Sequence, residues 1–398
     1  MAALLFQMAP VAFAQSIWGT FIAYDTLKLL LIVACILMLS SCMKESGALE
    51  ELVGSVRRMA RDNRFTIGLL PALIGFLPVP GGALFSAPMI DKLSDEAKIS
   101  SEFRAFVNYW FRHVWEYSYP LYPGLLLSAT ILHVDIKRLI AFQFPLSMAA
   151  ILIGSVMGLM RIPFIPQKIM SGRELWMQIR RFLHGFWPVL FIVVCIFVIP
   201  WDTVIASLGF NVAQSTGTDA VSGAGAGIKF DPLMVTLPVT VLIFGWPRLG
   251  TKRFFHTIAS NFDYGLPLTV LMVLVFKDVI SHSGAAEQLS ETFQKWGVPE
   301  LALFIILPAI MGYLTGITHS YVSVAFPLLL PFFGNPIDLS KVQLAYTAGF
   351  IGVILSPVHL CLILSAAYYK ADLNRVFRLL YIPAAFVALV SLVIYYLV

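Results

Sequence analysis

The sequence carries little charge for its length. Of its 398 residues only 12% are charged and 59% are hydrophobic, whereas about a quarter of the residues in a soluble domain are charged. An ordinary soluble fold is therefore excluded, and the composition indicates a chain surrounded by lipid. The formal net charge of +5 comes from lysines and arginines at the ends of predicted helices, so we predict a lipid bilayer and no nucleic acid as a partner.

Cysteine and the common catalytic motifs are equally scarce. Each cysteine lies in an apolar segment and none has CxxC spacing, so we expect reduced packing residues, with no disulfide framework and no metal. The sequence contains no HExxH helix, no P-loop and no paired-carboxylate motif. We therefore predict no cofactor and no enzymatic activity. The four cysteines are Cys35, Cys42, Cys195 and Cys361.

Long apolar runs predict an all-α protein that crosses the membrane many times. A spanning helix needs about 20 residues. The first run is predicted as a retained helix and not as a signal peptide, because no lysine or arginine precedes Lys28. The predicted spans are 3–23, 26–44, 103–133, 138–160, 183–200, 232–247, 264–282, 342–369 and 376–397.

Two further apolar stretches, 65–91 and 300–333, are interrupted near their middles. The interruptions are the segment from Pro78 to Gly82 and the segment from Thr315 to Ser320. Non-helical backbone survives at membrane depth only where protein or a wet cavity covers it. We predict two re-entrant helical hairpins, and an ordinary kinked span is the alternative interpretation of each stretch.

The distribution of lysine and arginine agrees with this topology. With re-entrant hairpins and a cytoplasmic N-terminus, 19 of the 27 lysines and arginines face the cytoplasm, seven face outside, and Arg112 falls within a span. Positive residues concentrate on the cytoplasmic side of membrane proteins. We therefore predict a multi-pass protein of the inner membrane whose N-terminus is cytoplasmic.

The two halves of the chain match each other at an ungapped offset of 237 residues. The segment 264–282 is the fifth predicted span after 26–44, and an odd step reverses the direction of crossing, so the two copies are predicted to have opposite orientations. We predict inverted repeats of about five elements each at 1–160 and 183–398, joined by an amphipathic interfacial linker at 161–182. The matched residues include Ser46-Gly47-Ala48 with Ser283-Gly284-Ala285, Pro71 with Pro308, Gly75 with Gly312, Tyr109 with Tyr346, Pro120 with Pro357 and Asp135 with Asp372.

A hairpin followed by a broken span, present twice in inverted form, resembles the ion transporter superfamily. The chain is similar to an uncharacterised integral-membrane family within it, through Leu70-Pro71-Ala72-Leu73 and the run from Pro78 to Pro88. Relatives include divalent-anion/sodium symporters, gluconate permeases, arsenite pumps and NhaD-type antiporters. The resemblance implies an elevator-like transporter and a homodimer. Dicarboxylate symporters of this group carry Ser-Asn-Thr at each hairpin tip, which this chain lacks, so their specificity does not carry over.

The predicted first tip offers backbone groups more than side chains. Gly81 and Gly82 expose amides, and a half-helix that starts at Ala83 places its positive end there, which favours an anion. A tight turn without a binding role is the alternative. We expect substrate contacts from Pro80, Gly81, Gly82, Ala83 and Ser86.

The predicted second tip is richer in polar side chains. Polar groups in such a tip need partners, and a substrate or an ion is a natural one. His319 changes its charge near neutral pH, so we also expect it to carry coupling protons; a structural histidine is the alternative. The expected substrate contacts are Thr315, Thr318, His319, Ser320 and Ser323.

Ionisable residues inside span 103–133 either mark a pathway or pair with each other. Arg112 and Glu116 are four residues apart, so an ion pair on one helix face is one interpretation. In the other interpretation, the ionisable residues of this span bind the substrate and carry protons. The candidate substrate ligands are Asn108 and Arg112, and the candidate proton carriers are His113, Glu116 and, beyond the second break, His359. Proline removes a backbone donor, and the predicted helix breaks are Pro78, Pro120 and Pro357.

Together these features predict secondary active transport of a small, anionic solute by alternating access, coupled to protons or sodium ions. The first alternative is a sodium/proton antiporter in which Glu116 or Asp278 exchanges cations. The second, less favoured, is an intramembrane enzyme that acts on a lipid.

Overall fold

The computed structural model describes residues 10–77, 82–166, 170–207, 231–260 and 262–398. Within these ranges the regular structure is helical, apart from an isolated antiparallel bridge between Asp62 and Pro166. Six of the described helices are long and apolar enough to cross a membrane. The prediction of an all-α, multi-pass membrane protein is therefore confirmed.

The helices of the first half follow one another with short connections. In chain order they are α1 (Pro10–Ile22), α2 (Tyr24–Glu45), α3 (Ala48–Met59), α4 (Asn63–Gly75), α5 (Ala83–Glu96), α6 (Ser101–His113), α7 (Pro123–Leu132) and α8 (Ile136–Met157). Among these described helices, α2 and α8 reach the length of a membrane span. The helices α4 to α7 are shorter, with a break inside each of the pairs α4–α5 and α6–α7.

The second half repeats this order of long and short helices. In chain order they are α9 (Gly172–Phe197), α10 (Trp201–Ser207), α11 (Leu233–Ser260), α12 (Gly265–His282), α13 (Ala285–Lys295), α14 (Glu300–Thr315), α15 (Thr318–Leu329), α16 (Leu339–Ile354), α17 (Leu360–Tyr369) and α18 (Leu373–Leu397). The helices α14, α17 and α18 each begin 237 residues after α4, α7 and α8. This is the offset at which the two halves of the sequence match.

Matched residues have the same local roles in both halves. Asp135 begins α8 by accepting a hydrogen bond at 2.7 Å from the amide two residues on, and Asp372 begins α18 by accepting one at 3.0 Å from the amide three residues on. Such a cap satisfies one of the free amides at a helix N-terminus. Gly47 and Gly284, with φ of 73° and 69°, turn the chain after α2 and α12 in the left-handed conformation that glycine adopts without strain.

Two boundaries differ from those predicted. The helix α9 runs without interruption from Gly172 to Phe197, so the expected border between linker 161–182 and span 183–200 falls inside one helix. Its 26 residues extend about 39 Å, beyond the ~30 Å hydrocarbon core, so one helix includes both the charged and the apolar segment. The helix α11 likewise continues past the predicted end at 247, with a kink at Gly250.

Close backbone contacts hold the first helix of each hairpin. The pairs α4–α5 and α14–α15 pack as helical hairpins, with α4 against α6 and α14 against α16. A Cβ atom at Gly75 would overlap the carbonyl oxygen of Arg112, and one at Gly312 would overlap that of Gly349. Small residues at these places let two helix backbones approach closely, as is common between membrane helices.

We expect Gly312→Ala to destabilise the folded protein by about 3 kcal/mol, because the clashing carbonyl belongs to the backbone and cannot rotate away. Thermal unfolding in detergent, followed by the loss of monodisperse protein, measures the effect. Gly54→Ala in α3 is the matched control, since no atom lies within 4 Å of a Cβ added there. Equal stability of the two variants would contradict this packing.

The second helix of each hairpin packs against the other half of the chain. The helix α5 contacts α17, and α15 contacts α7. Both hairpins therefore meet the segments that follow the breaks in the long helices. This exchange brings polar residues from distant parts of the chain to one place.

Candidate functional site

Non-helical segments interrupt both of the long spans that carry a central proline. Pro120 lies in the connection between α6 and α7, and Pro357 lies in the connection between α16 and α17. Pro78, the third predicted break, lies outside the described residues. The connections leave backbone groups without helical partners inside the apolar part of the protein, where each needs another partner.

Matched tyrosines supply such partners across the two halves. The Tyr109 hydroxyl donates to the carbonyl oxygen of Ile354 at 3.0 Å, and the Tyr346 hydroxyl donates to that of Glu116 at 3.0 Å. Both tyrosines are fully buried. The region of each break is thus bonded to the helix that precedes the break in the opposite half, α6 or α16, which holds the two breaks side by side.

Arg112 places a positive charge beside the first hairpin. Its side chain is buried, with 5% of the residue exposed, and Nη1 donates to the carbonyl oxygen of Ile74 at 3.2 Å. The guanidinium lies against Gly82, where an added Cβ would overlap it. Because Gly82 immediately precedes α5, the charge sits at the N-terminal end of that helix. A guanidinium and a helix N-terminus both favour an anion.

Glu116 binds to the second hairpin. Its Oε2 accepts a hydrogen bond from Thr318 Oγ1 at 2.7 Å, and its Oε1 lies 3.8 Å from His113 Nε2. Among the ion pairs of the described residues, none joins Arg112 to Glu116. The ion-pair interpretation is wrong because α6 ends at His113. Glu116 therefore lies in the break and not one turn further along the same helix face.

Asn108 links the first hairpin to α17. It is fully buried, and its Nδ2 donates to the carbonyl oxygen of Ala83 at 3.2 Å and to Ser365 Oγ at 3.0 Å. Its Oδ1 has no hydrogen-bond partner among the described residues. Buried polar atoms are nearly always satisfied, so this oxygen is available to a ligand.

Two imidazoles and a thiol meet between the breaks. His113 Nε2 lies 3.1 Å from His359 Nε2. Each ring's Nδ1 lies 2.6 Å from a backbone carbonyl oxygen, that of Tyr109 for His113 and that of Gly316 for His359. The thiol of Cys361 is near both rings, with the three ligand atoms within 4.8 Å of one another. The sequence alone predicts a packing role for Cys361; its spacing of two from His359, beside the break at Pro357, is the signal in the sequence for this cluster.

The remaining predicted hydroxyls bond within their own helices. Ser86, Thr315 and Ser323 each donate to a carbonyl oxygen about one turn earlier in the chain. Serine and threonine satisfy their hydroxyls in this way within a helix, so these three do not converge on Glu116 as Thr318 does.

The other residues of the two predicted tips fall at different places. His319 and Ser320 are half-buried on the first turn of α15, where Thr318, and not His319, is the residue that bonds to Glu116. Pro80 and Gly81 lie outside the described residues.

These features define a multi-pass helical membrane protein in which buried polar residues gather between two interrupted helices and two helical hairpins. The chain belongs to the DUF401 family, described as "Protein of unknown function", which matches residues 14–215 and 220–398. No curated protein matches the chain. Membership of this family and the six long apolar helices agree with the expectation of an uncharacterised integral-membrane family.

Proposed function

We propose that the chain is a secondary active transporter that moves a small anion across the inner membrane by alternating access with an elevator-like motion. The burial of Arg112 beside the N-terminal end of α5 carries this proposal. Ionisable groups inside a membrane protein are costly and mark substrate or ion pathways. A guanidinium and a helix N-terminus share a preference for one kind of ligand, an anion.

An inverted repeat with two re-entrant hairpins is part of the same proposal, as is a place in the ion transporter superfamily. Three observations support a duplicated architecture. Helices of the second half begin 237 residues after their counterparts in the first half, Gly75 and Gly312 make equivalent close contacts, and Tyr109 and Tyr346 each donate a hydrogen bond to the opposite half. Transporters built from such repeats bind substrate near the bilayer midplane, where their helices are broken. The polar residues of this chain gather at its breaks.

Protons or sodium ions are the proposed coupling ions. Asn108 Oδ1 offers a buried oxygen atom to a cation. A sodium/proton antiporter is the second candidate, and it would use Glu116 or Asp278. The carboxylate of Asp278 accepts a hydrogen bond from Thr20 Oγ1 in α1 at 2.8 Å, whereas Glu116 is bonded to Thr318 in α15. Because the two carboxylates have separate partners on separate elements, we favour anion transport, and we propose no enzymatic role.

Uptake into proteoliposomes tests this function directly. The purified full-length protein is reconstituted with imposed pH and sodium gradients and offered phosphate, sulfate, succinate, citrate or gluconate. We expect at least one of these anions to accumulate, and the accumulation to disappear when an ionophore collapses the driving gradient. Sodium-driven proton movement without added anion would favour the antiporter. Failure of both measurements would contradict secondary transport.

A homodimer is proposed from the superfamily resemblance, with the inner membrane as its location and a cytoplasmic N-terminus. Native mass spectrometry in a mild detergent measures the oligomeric state. A spectrum that contains only the monomer would contradict the dimer without affecting the transport proposal.

His319→Gln should leave transport active and flatten its dependence on pH. Glutamine keeps a hydrogen-bonding side chain but lacks the charge change that histidine undergoes near neutral pH. Initial uptake rates between about pH 3.5 and 8 measure the effect, because this range includes both the usual histidine pKa and one that burial has lowered. His282→Gln, on the exposed end of α12, is the control. An unchanged profile in His319→Gln would remove His319 from proton movement.

A further inference from the structure

The two histidines at the breaks are held in one tautomer. A backbone carbonyl oxygen accepts hydrogen bonds and never donates, so each Nδ1 that lies 2.6 Å from such an oxygen carries the proton. His113 and His359 therefore both present an unprotonated Nε2. These two nitrogens face each other at 3.1 Å, so two lone pairs point into the same small space. Such an arrangement is stable only when something electropositive lies between them.

The third group near this space is a sulfur atom. Cys361 places its Sγ and the two ring nitrogens within 4.8 Å of one another. His113, His359 and Cys361 are each at most 8% exposed. In a tetrahedral zinc site with bonds of about 2.0 Å to nitrogen and 2.3 Å to sulfur, ligand atoms lie roughly 3.3–3.6 Å apart. The distance between the two nitrogens is close to that range, and the sulfur that lies near both of them fits the place of a third ligand.

The surrounding residues orient these ligands as they do in known metal sites. Metal-binding histidines donate their second ring N–H to a carbonyl or carboxylate, which fixes the ring; here the carbonyl groups of Tyr109 and Gly316 accept. Glu116 Oε1, 3.8 Å from His113 Nε2, is close enough to supply a fourth ligand. Its other oxygen is held by the hydroxyl of Thr318.

We propose that His113, His359 and Cys361 form a buried transition-metal site for a borderline or soft ion, with Zn²⁺ or Cu⁺ as the expected class. Two imidazoles and one thiolate select such ions over magnesium, calcium or sodium, which take oxygen ligands. His113 belongs to the first half of the chain, whereas His359 and Cys361 belong to the second. A bound ion thus joins the two breaks and, through Gly316, the second hairpin. The site does not depend on which solute the protein transports.

Metal content and cobalt spectra of the full-length protein test the site. The protein is purified through a tag without histidine, incubated with ZnSO₄ and dialysed, and its zinc is counted by mass spectrometry. We expect about one zinc per chain in the wild type. The control Cys195→Ser, whose buried sulfur lies in α9, should keep the same zinc content. In Cys361→Ser and in His359→Ala the zinc content should fall at least tenfold. Loading with Co²⁺ should produce tetrahedral d–d bands and a thiolate-to-cobalt charge-transfer band, which Cys361→Ser should lack.

X-ray absorption on the zinc-loaded wild type keeps the test independent of whether the variants fold. The expected first shell contains one sulfur at about 2.3 Å and nitrogen ligands at about 2.0–2.1 Å. Two results would overturn the proposal: a wild type that retains less than a tenth of an equivalent of zinc or copper(I), or a first coordination shell without sulfur. A proton shared between the two histidines would then explain their contact. Zinc retained equally by wild type, Cys361→Ser and His359→Ala would overturn the proposal as well. Neither result would affect anion uptake as evidence for transport.

Discussion

Arg112→Ala should abolish anion uptake while leaving a folded, monodisperse protein. The guanidinium is buried at the N-terminal end of α5, so an anion bound there would lose its charged partner in a site of low dielectric constant. Removal of one partner of a buried charge pair costs about 2–5 kcal/mol. At 1.4 kcal/mol for each factor of ten, the expected loss of affinity is about 30-fold or more.

Three variants separate a binding role of Arg112 from a structural one. Arg112→Lys keeps the charge but loses the planar fork that binds oxyanions bidentately, so a partial loss is expected. Gly82→Ala introduces a methyl group where the guanidinium lies and should also reduce uptake, because the flexible arginine must move aside. Arg138→Ala, at an exposed position in α8, should transport normally. Normal uptake by Arg112→Ala would remove the main support for an anionic substrate.

The features that the sequence predicted well have local causes. Pro120 and Pro357 cannot continue a hydrogen-bonded helix, and α6 and α16 end before them. Asp135 and Asp372 match at the repeat offset because each caps the helix that follows. Such residues act on the backbone within a few positions of themselves, so their effect can be inferred without knowledge of the tertiary fold.

The features that the sequence missed depend on contacts between distant segments. Cys361 lies in an apolar run and is read as a packing residue until the fold brings His113 of the other half next to it. A continuous helix would place Glu116 on the same face as Arg112, whereas α6 ends between them and Thr318 becomes the partner of the carboxylate. Side-chain chemistry beyond a helix end is decided by tertiary packing, which spacing along the chain does not encode.

Cysteine labelling from each side of the membrane should give an all-or-none result for the proposed topology. A re-entrant hairpin returns the chain to the side from which it entered. Arg61→Cys and Lys98→Cys flank the first hairpin, and Lys295→Cys and Asn335→Cys flank the second; all four positions are exposed. An impermeant maleimide should label the first two only from the cytoplasmic side and the last two only from outside.

The native protein is a suitable background for this labelling, because its four cysteines are all buried and should not react with a reagent confined to water. The two pairs also test the inversion, since equivalent positions of an inverted repeat lie on opposite sides of the membrane. If residues 61 and 98 were labelled from opposite sides, α4 and α5 would cross the bilayer together. Every later segment would then change sides, and the concentration of positive residues on the cytoplasmic face would be lost.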